Sequence, residues 1–152
     1  MSGMPLSDVF AHLHQLLVHF PIACIVVAVL IEWIALIKKR VSFGPGVPVL
    51  LTVGLAVGTA AIFSGFKLSD EVKEGFADTL LPVLERHEQL GIASMVLAFL
   101  ALVAGIVYRR GPSLTKKIAY LVLIHAAGVS VALAGKAGGI LQHGSDWLPW
   151  WI

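Results

Sequence analysis

Residues 16–37 read LLVHFPIACIVVAVLIEWIALI, a run of 22 residues whose only interruptions are His19, Pro21 and Glu32, and it ends against Lys38-Lys39-Arg40. A bilayer core about 30 Å thick is crossed by about 20 apolar residues in helical form, so this run is long enough to span a membrane. Three further stretches, 47–66, 90–108 and 118–140, meet the same length and are bounded by charge or by Gly and Pro. They are continuous, without the short alternating segments of a membrane barrel, which selects helix. Hydrophobic residues make up 58% of the 152-residue chain and charged ones 13%, too few to clothe a water-soluble globule. The sequence therefore predicts an all-α integral membrane four-helix bundle, a single domain over 1–152.

The charges orient the bundle. Lys38, Lys39 and Arg40 follow the first span, and Arg109, Arg110, Lys116 and Lys117 lie between the third and fourth, with no acid in either loop. Basic loops stay in the cytoplasm, which predicts an N-out/C-out protein of the cell's inner (cytoplasmic) membrane. The connection between spans two and three carries Asp70, Glu71, Glu74, Asp78, Glu85 and Glu88 against Lys67, Lys73 and Arg86, an acidic surplus suited to the outer face. The net charge of +2 hides this asymmetry, so the basic loops read as topology signals and no nucleic-acid partner is expected. Residues 1–16 contain no Lys or Arg, so a cleavable signal peptide is not expected and the first span is retained. Trp147, Pro149, Trp150 and Trp151 read as an interfacial anchor. The lone Cys24 allows no intrachain disulfide, and no linker, repeat or low-complexity tract is evident.

Small residues mark close packing. Gly54, Gly58, Ala61 and Gly65 fall on one stripe of the second span and Gly128, Ala132, Gly135 and Gly139 on one stripe of the fourth. Such stripes serve helix packing, or give a flat cofactor a wall free of side chains. Pro21 removes a helical hydrogen bond in the first span and is expected to bend it.

The histidines carry the chemistry. His12, His14 and His19 precede or open the first span, His87 precedes the third and His143 follows the fourth, all at the outer end in the orientation above. An ionisable side chain at membrane depth is costly unless it faces the bundle interior and finds a partner. One interfacial imidazole is ordinarily a hydrogen-bonding residue; three helices bringing imidazoles to one level is a stronger signal. At 100° per residue His12 and His19 share a face while His14 and His19 diverge by about 140°, so one of the latter pair points elsewhere. His87 shares its face with Gly91, Met95, Ala98 and Gly105, a plausible haem wall. His125 lies deeper, on the small-residue stripe of the fourth span, where it offers a site for a second haem. Glu32 reads as the other buried ionisable group, in the cytoplasmic half of the first span: a proton relay, a salt-bridge partner for an incoming subunit, or a carboxyl that is protonated or reaches toward Lys38 and Lys39. Cys24 and Met95 read as packing residues.

The run His14-Gln15-Leu16-Leu17-Val18-His19-Phe20-Pro21-Ile22, with His87 and the closing Gly138-Gly139 and His143-Gly144, resembles an uncharacterised bacterial family of predicted four-helix membrane proteins. The family opens His-Pro-x-x-Val-His-Phe-Pro; here Gln15 replaces its Pro, and the interval from the paired glycines to His143 is shorter. Some members are joined to c-type cytochrome domains. The resemblance thus implies the fold and a redox setting.

Walker A, GxGxxG, HExxH, CxxC and CxxCH motifs are all absent from the sequence, and no Ser/His/Asp arrangement stands out. An enzyme is not expected. The leading expectation is a membrane electron-transfer protein, a b-type cytochrome or the haem-bearing anchor subunit of a redox complex. Its axial ligands to haem b would be His19 and His87, with His14 and His143 as substitutes and His125 for an inner haem. Quinol, a c-type cytochrome or other redox subunits are the partners this implies. Two alternatives stay open: an outer-face copper, zinc or iron site built from the same histidines with Glu88, and a cofactor-free structural subunit.

Overall fold

The computed structural model describes residues 6–72 and 78–144, with side chains placed over 12–70 and 78–144. The tryptophan anchor, and Lys73 and Glu74 of the acidic connection, lie outside these described residues, as does the side chain of Glu71. Four helices run in order: α1 (Leu6–Ile37), α2 (Gly46–Val72), α3 (Leu81–Arg110) and α4 (Leu114–His143). All four are long and apolar enough to cross a membrane, and no strand occurs among the described residues. The protein is a four-helix membrane bundle. Lipid offers backbone amides no partner, so each segment satisfies its own in a helix, and large apolar side chains such as Ile37, Phe63 and Val122 face outward.

The helices outrun their apolar cores. α1 starts at Leu6 where the apolar run begins near residue 16, and α3 starts at Leu81 where it begins near 90. Extending a formed helix costs far less than nucleating one, so the polar turns that carry His12, His14, Glu85 and His87 continue it. α4 passes through Gly138-Gly139 without a break and stops at His143, where Gly144 takes an extended, positive-φ conformation open mainly to glycine (φ 86°, ψ 173°) and donates its N–H to the Ile140 carbonyl at 2.9 Å.

The connections 38–45 and 111–113 lie at one end, which we call the loop end. Lys116 Nζ donates to the Gly111 carbonyl (2.8 Å) beyond α3, and Ser113 Oγ accepts from Lys116 N as the N-cap of α4. In the longer connection Lys39 and Phe43 are left-handed (φ 49° and 57°), which costs a side-chain-bearing residue about 1–2 kcal/mol each. Glu32 offsets that cost at Phe43. Its fully buried carboxylate accepts from Phe43 N (2.6 Å) and from Tyr120 OH (2.8 Å), while the Phe43 ring meets Tyr120 edge-on at 5.2 Å and fills the space beside Gly105. Glu32 thus clasps α1, the loop and α4 together and does not reach out to Lys38 and Lys39.

The chain is also an internal repeat, contrary to the reading of the sequence. α1 packs most extensively on α2 and α3 on α4, and adding 73 to a number in the first hairpin gives its counterpart in the second. Buried Pro21, Ile25, Ala28, Glu32 and Ala35 correspond to buried Ser94, Ala98, Ala101, Gly105 and Tyr108. Buried Val47, Leu51, Gly54, Gly58, Ala61 and Ser64 correspond to buried Tyr120, Ile124, Ala127, Val131, Ala134 and Ala137. Since α1 and α3 run the same way, the hairpins exchange by a half-turn about the bundle axis.

The stripe expected on α2 is buried: Gly54 lies against Cys24, Gly58 against Pro21 and Met95, and Gly65 against His14. On α4 the expected stripe is displaced. Ala132 and Gly135 are exposed, and the packed face is Ala127, Val131, Ala134 and Ala137. Of the expected stripe Gly128 does pack closely, against Val29. Toward the other end of α4, buried Ala134 and Ala137 and the close-packed Gly138 replace Ala132 and Gly135, so the face is shifted there by about one residue.

Candidate functional site

A cavity of about 570 Å³ opens between the four helices at the end opposite the loops, where α1 and α3 begin and α2 and α4 finish. That volume lies in the range of small-molecule and cofactor sites, roughly 300–1,000 Å³. The cavity sits on the half-turn axis. Each of the 13 residues that line it from the first hairpin has its counterpart, 73 positions on, lining it from the second.

Two of those counterparts are His14 and His87. Their rings stand 6.3 Å apart, centre to centre, and nearly perpendicular at 83°. His14 Nδ1 lies 3.0 Å from the Ala61 carbonyl on α2, and His87 Nδ1 lies 2.9 Å from the Ala134 carbonyl on α4. A carbonyl only accepts, so each Nδ1 carries the hydrogen, and in the neutral ring each Nε2 keeps its lone pair. The span from ring to carbonyl is 47 residues in both hairpins. One turn beyond each carbonyl a glycine makes room for the ring. A methyl on Gly65 would lie 2.8 Å from His14 Cε1, and one on Gly138 would lie 3.0 Å from His87 Cε1. The two imidazoles are thus seated identically, except that Ser64 Oγ also reaches His14 Nδ1 (3.1 Å) while Ala137 stands at its counterpart.

The other histidines differ. His19 is exposed at the rim of the cavity and its Nδ1 bonds to the Gln15 carbonyl of its own helix. His143 also lines the rim and is exposed, and His12 is exposed. His125 lies away from the cavity, bonded through Nδ1 to the Leu121 carbonyl (2.6 Å) with its ring 6.0 Å from Trp33. The structure therefore brings His87 together with His14, and neither His19 nor His125 joins them. Met95 lines the cavity through its contact with Gly58, and Cys24 packs on Gly54.

The donor set can be weighed against what it would hold. A metal bonded to one nitrogen of each ring at about 2 Å sets the ring centres roughly 5–6 Å apart, according to the angle at the metal, and the observed 6.3 Å lies at the wide end. Nδ1–H donation to a backbone carbonyl is the usual way a ligating imidazole is oriented. Among the described residues no three His, Cys, Asp or Glu side chains converge, so the pocket offers two imidazoles rather than a full coordination shell. A group that brings its own in-plane ligands fits this set better than a bare ion. Gly91, Gly135 and Gly139 line the cavity without side chains, and a methyl at Gly91 or Gly135 would meet nothing within 4 Å.

A model of the family described as predicted membrane protein (DUF2231) matches residues 11–145, which takes in all of the cavity lining. No curated protein and no solved structure matches the chain.

Proposed function

The chain belongs to this family of membrane proteins, and we propose that it is an electron-transfer protein, a b-type cytochrome or haem-bearing anchor subunit, whose haem lies between His14 and His87. One observation carries the reading: two imidazoles from like positions of a repeated hairpin face one cavity, each anchored through Nδ1 and each left with a bare Nε2. Haem bound there would supply a one-electron couple. The chain's part is to orient both rings through the Ala61 and Ala134 carbonyls and to line the cavity in part with glycine. The apolar side chains that line much of the cavity, such as Ile22, Ile62, Met95 and Val131, would lower the local dielectric around the group and so tune its potential. With the basic loops in the cytoplasm the site lies toward the outer face of the inner membrane, in reach of quinol in the bilayer and of a c-type cytochrome or other redox subunit outside.

An absorption spectrum tests it. Protein purified in mild detergent from haem-replete cells shows a Soret band and, on reduction, a sharp α-band of low-spin bis-histidine haem. His14→Ala and His87→Ala each abolish or broaden it, while His19→Ala and His125→Ala leave it in place. A colourless wild type refutes the cytochrome reading, and metal analysis of that preparation then separates a copper, zinc or iron site from a structural subunit. Colour that survives His14→Ala but not His19→Ala moves the ligand to His19.

A further inference from the structure

The half-turn symmetry of the cavity fails at its mouth, and the failure is chemical. On the α1–α4 seam Gln15 Nε2 donates to Gln142 Oε1 at 2.7 Å and latches the two helices. The counterparts of these residues, 73 positions away, are Glu88 on α3 and Ser69 on α2. They line the same cavity and are not bonded to one another. Ser69 is 2% exposed and its Oγ has no partner among the described residues; Glu88 Oε1 is buried and likewise has none. A buried polar atom left without a hydrogen bond is expensive, so two of them at one mouth mark a place where a polar group is missing.

We infer that the α2–α3 mouth is a binding subsite for the ring hydroxyl of a membrane-dissolved hydroquinone, which donates to Glu88 Oε1 and accepts from Ser69 Oγ. A carboxylate oxygen only accepts, and a serine hydroxyl can donate or accept, so the pair is completed by a group that does both. Water does both, and so does a ring hydroxyl that enters from the lipid and displaces it. A divalent cation would ask for six or more oxygens, and only two are offered. The route is lateral: α2 and α3 share one of the two thinner seams of the bundle, where no counterpart of the Gln15–Gln142 bond occurs among the described residues, flanked by exposed apolar side chains such as Phe66 and Ile92. Naming a hydroquinone, rather than another hydroxyl-bearing lipid, rests on the electron-transfer reading above. The subsite differs from the imidazole pair because no histidine takes part.

Calorimetric titration of the full chain in detergent tests this without reference to colour. The probes are a short-tailed hydroquinone, its oxidised quinone and a short-chain diacylglycerol. The hydroquinone binds saturably and at least tenfold tighter than the quinone, which has no hydrogen to give Glu88. The double variant S69Q/E88Q, which copies the Gln15–Gln142 latch onto this seam, loses that binding, and Q15A/Q142A keeps it. Should the copied latch fail to fold, Ser69→Ala is read instead and weakens hydroquinone binding severalfold. Absence of saturable binding, equal affinity for quinone and hydroquinone, or unchanged affinity in S69Q/E88Q overturns the subsite; diacylglycerol binding as tightly overturns the assignment to a hydroquinone. A colourless protein that still binds hydroquinone selectively refutes the haem and leaves the subsite, whereas a coloured one that does not bind it does the reverse.

Discussion

Gly135 and Gly138 lie one turn apart on α4, and alanine at each should act on stability in opposite directions. Nothing stands within 4 Å of a methyl placed at Gly135, whereas one at Gly138 would press on His87 at 3.0 Å from Cε1 and 3.3 Å from Nδ1. In a helix interior Gly→Ala is worth about 0.5–1 kcal/mol in backbone entropy, which Gly135→Ala should collect nearly whole. At Gly138 the ring must retreat by a few tenths of an ångström, and it is tethered to the Ala134 carbonyl at 2.9 Å. Loss of that hydrogen bond costs about 0.5–1.5 kcal/mol, which cancels or reverses the gain. The variants should therefore differ by about 1 kcal/mol, or roughly 2–4 °C in Tm for a chain of this size. Thermal unfolding followed by circular dichroism in mild detergent, on protein stripped of pigment, reads the difference. Nitrogen NMR of His87 should show a weakened Nδ1 hydrogen bond in Gly138→Ala alone. Equal Tm values, or a higher one for Gly138→Ala, would refute the claim that this glycine exists to seat the imidazole.

Gly65→Ala should behave like Gly138→Ala, because it meets His14 as closely, and a stabilised Gly65→Ala would contradict the equivalence of the hairpins. Tyr120→Phe removes a buried donor to Glu32 and should destabilise the bundle by about 1–3 kcal/mol in a denaturing-detergent titration; no change would mean that the clasp holds nothing. Glu32→Ala, which leaves both Tyr120 OH and Phe43 N without their acceptor, should cost more than Glu32→Gln, which keeps an oxygen in place. A reporter active only outside the cytoplasm should work when fused after Ile152 and fail in the 111–113 connection, and the opposite pattern would reverse the orientation.

The fold was legible because lipid imposes a coarse rule. Four apolar runs of sufficient length leave one solution, and neither Pro21 nor Glu32 is enough to cancel a run. The ends were harder to read, since hydropathy stops where α3 turns polar at Glu85–Glu88 but the backbone does not. The convergence of His87 with a histidine of α1 was also legible, and so was the divergence of His14 from His19. Which of the two faces inward was not, since both lie on the same turns and the choice depends on what α2 presents. The signal that decides it was in the sequence as an offset of 73, which superposes His14 on His87, Ala61 on Ala134 and Gly65 on Gly138. Only eight positions are identical when 14–37 and 46–70 are laid on 87–110 and 119–143, and most are Leu, Val or Ala, so the repeat drowns in the composition of a membrane span. Glu32 misled for a different reason: its partners, Phe43 N and Tyr120 OH, arrive from a loop backbone and from a helix 88 residues away.

Because each hairpin leaves and returns to the same end of the bundle, the order in which the two are strung matters little to the cavity between them. A circular permutant that begins with α3, runs through α4 and passes by a short flexible join into α1 would present the same two rings to the same carbonyls. The clasp at the loop end survives such a cut as well, since Glu32 and Phe43 stay within one hairpin and Tyr120 within the other. On this geometry the order of the hairpins along the chain should leave the imidazole pair in place, which the spectrum or ring spacing of such a permutant checks.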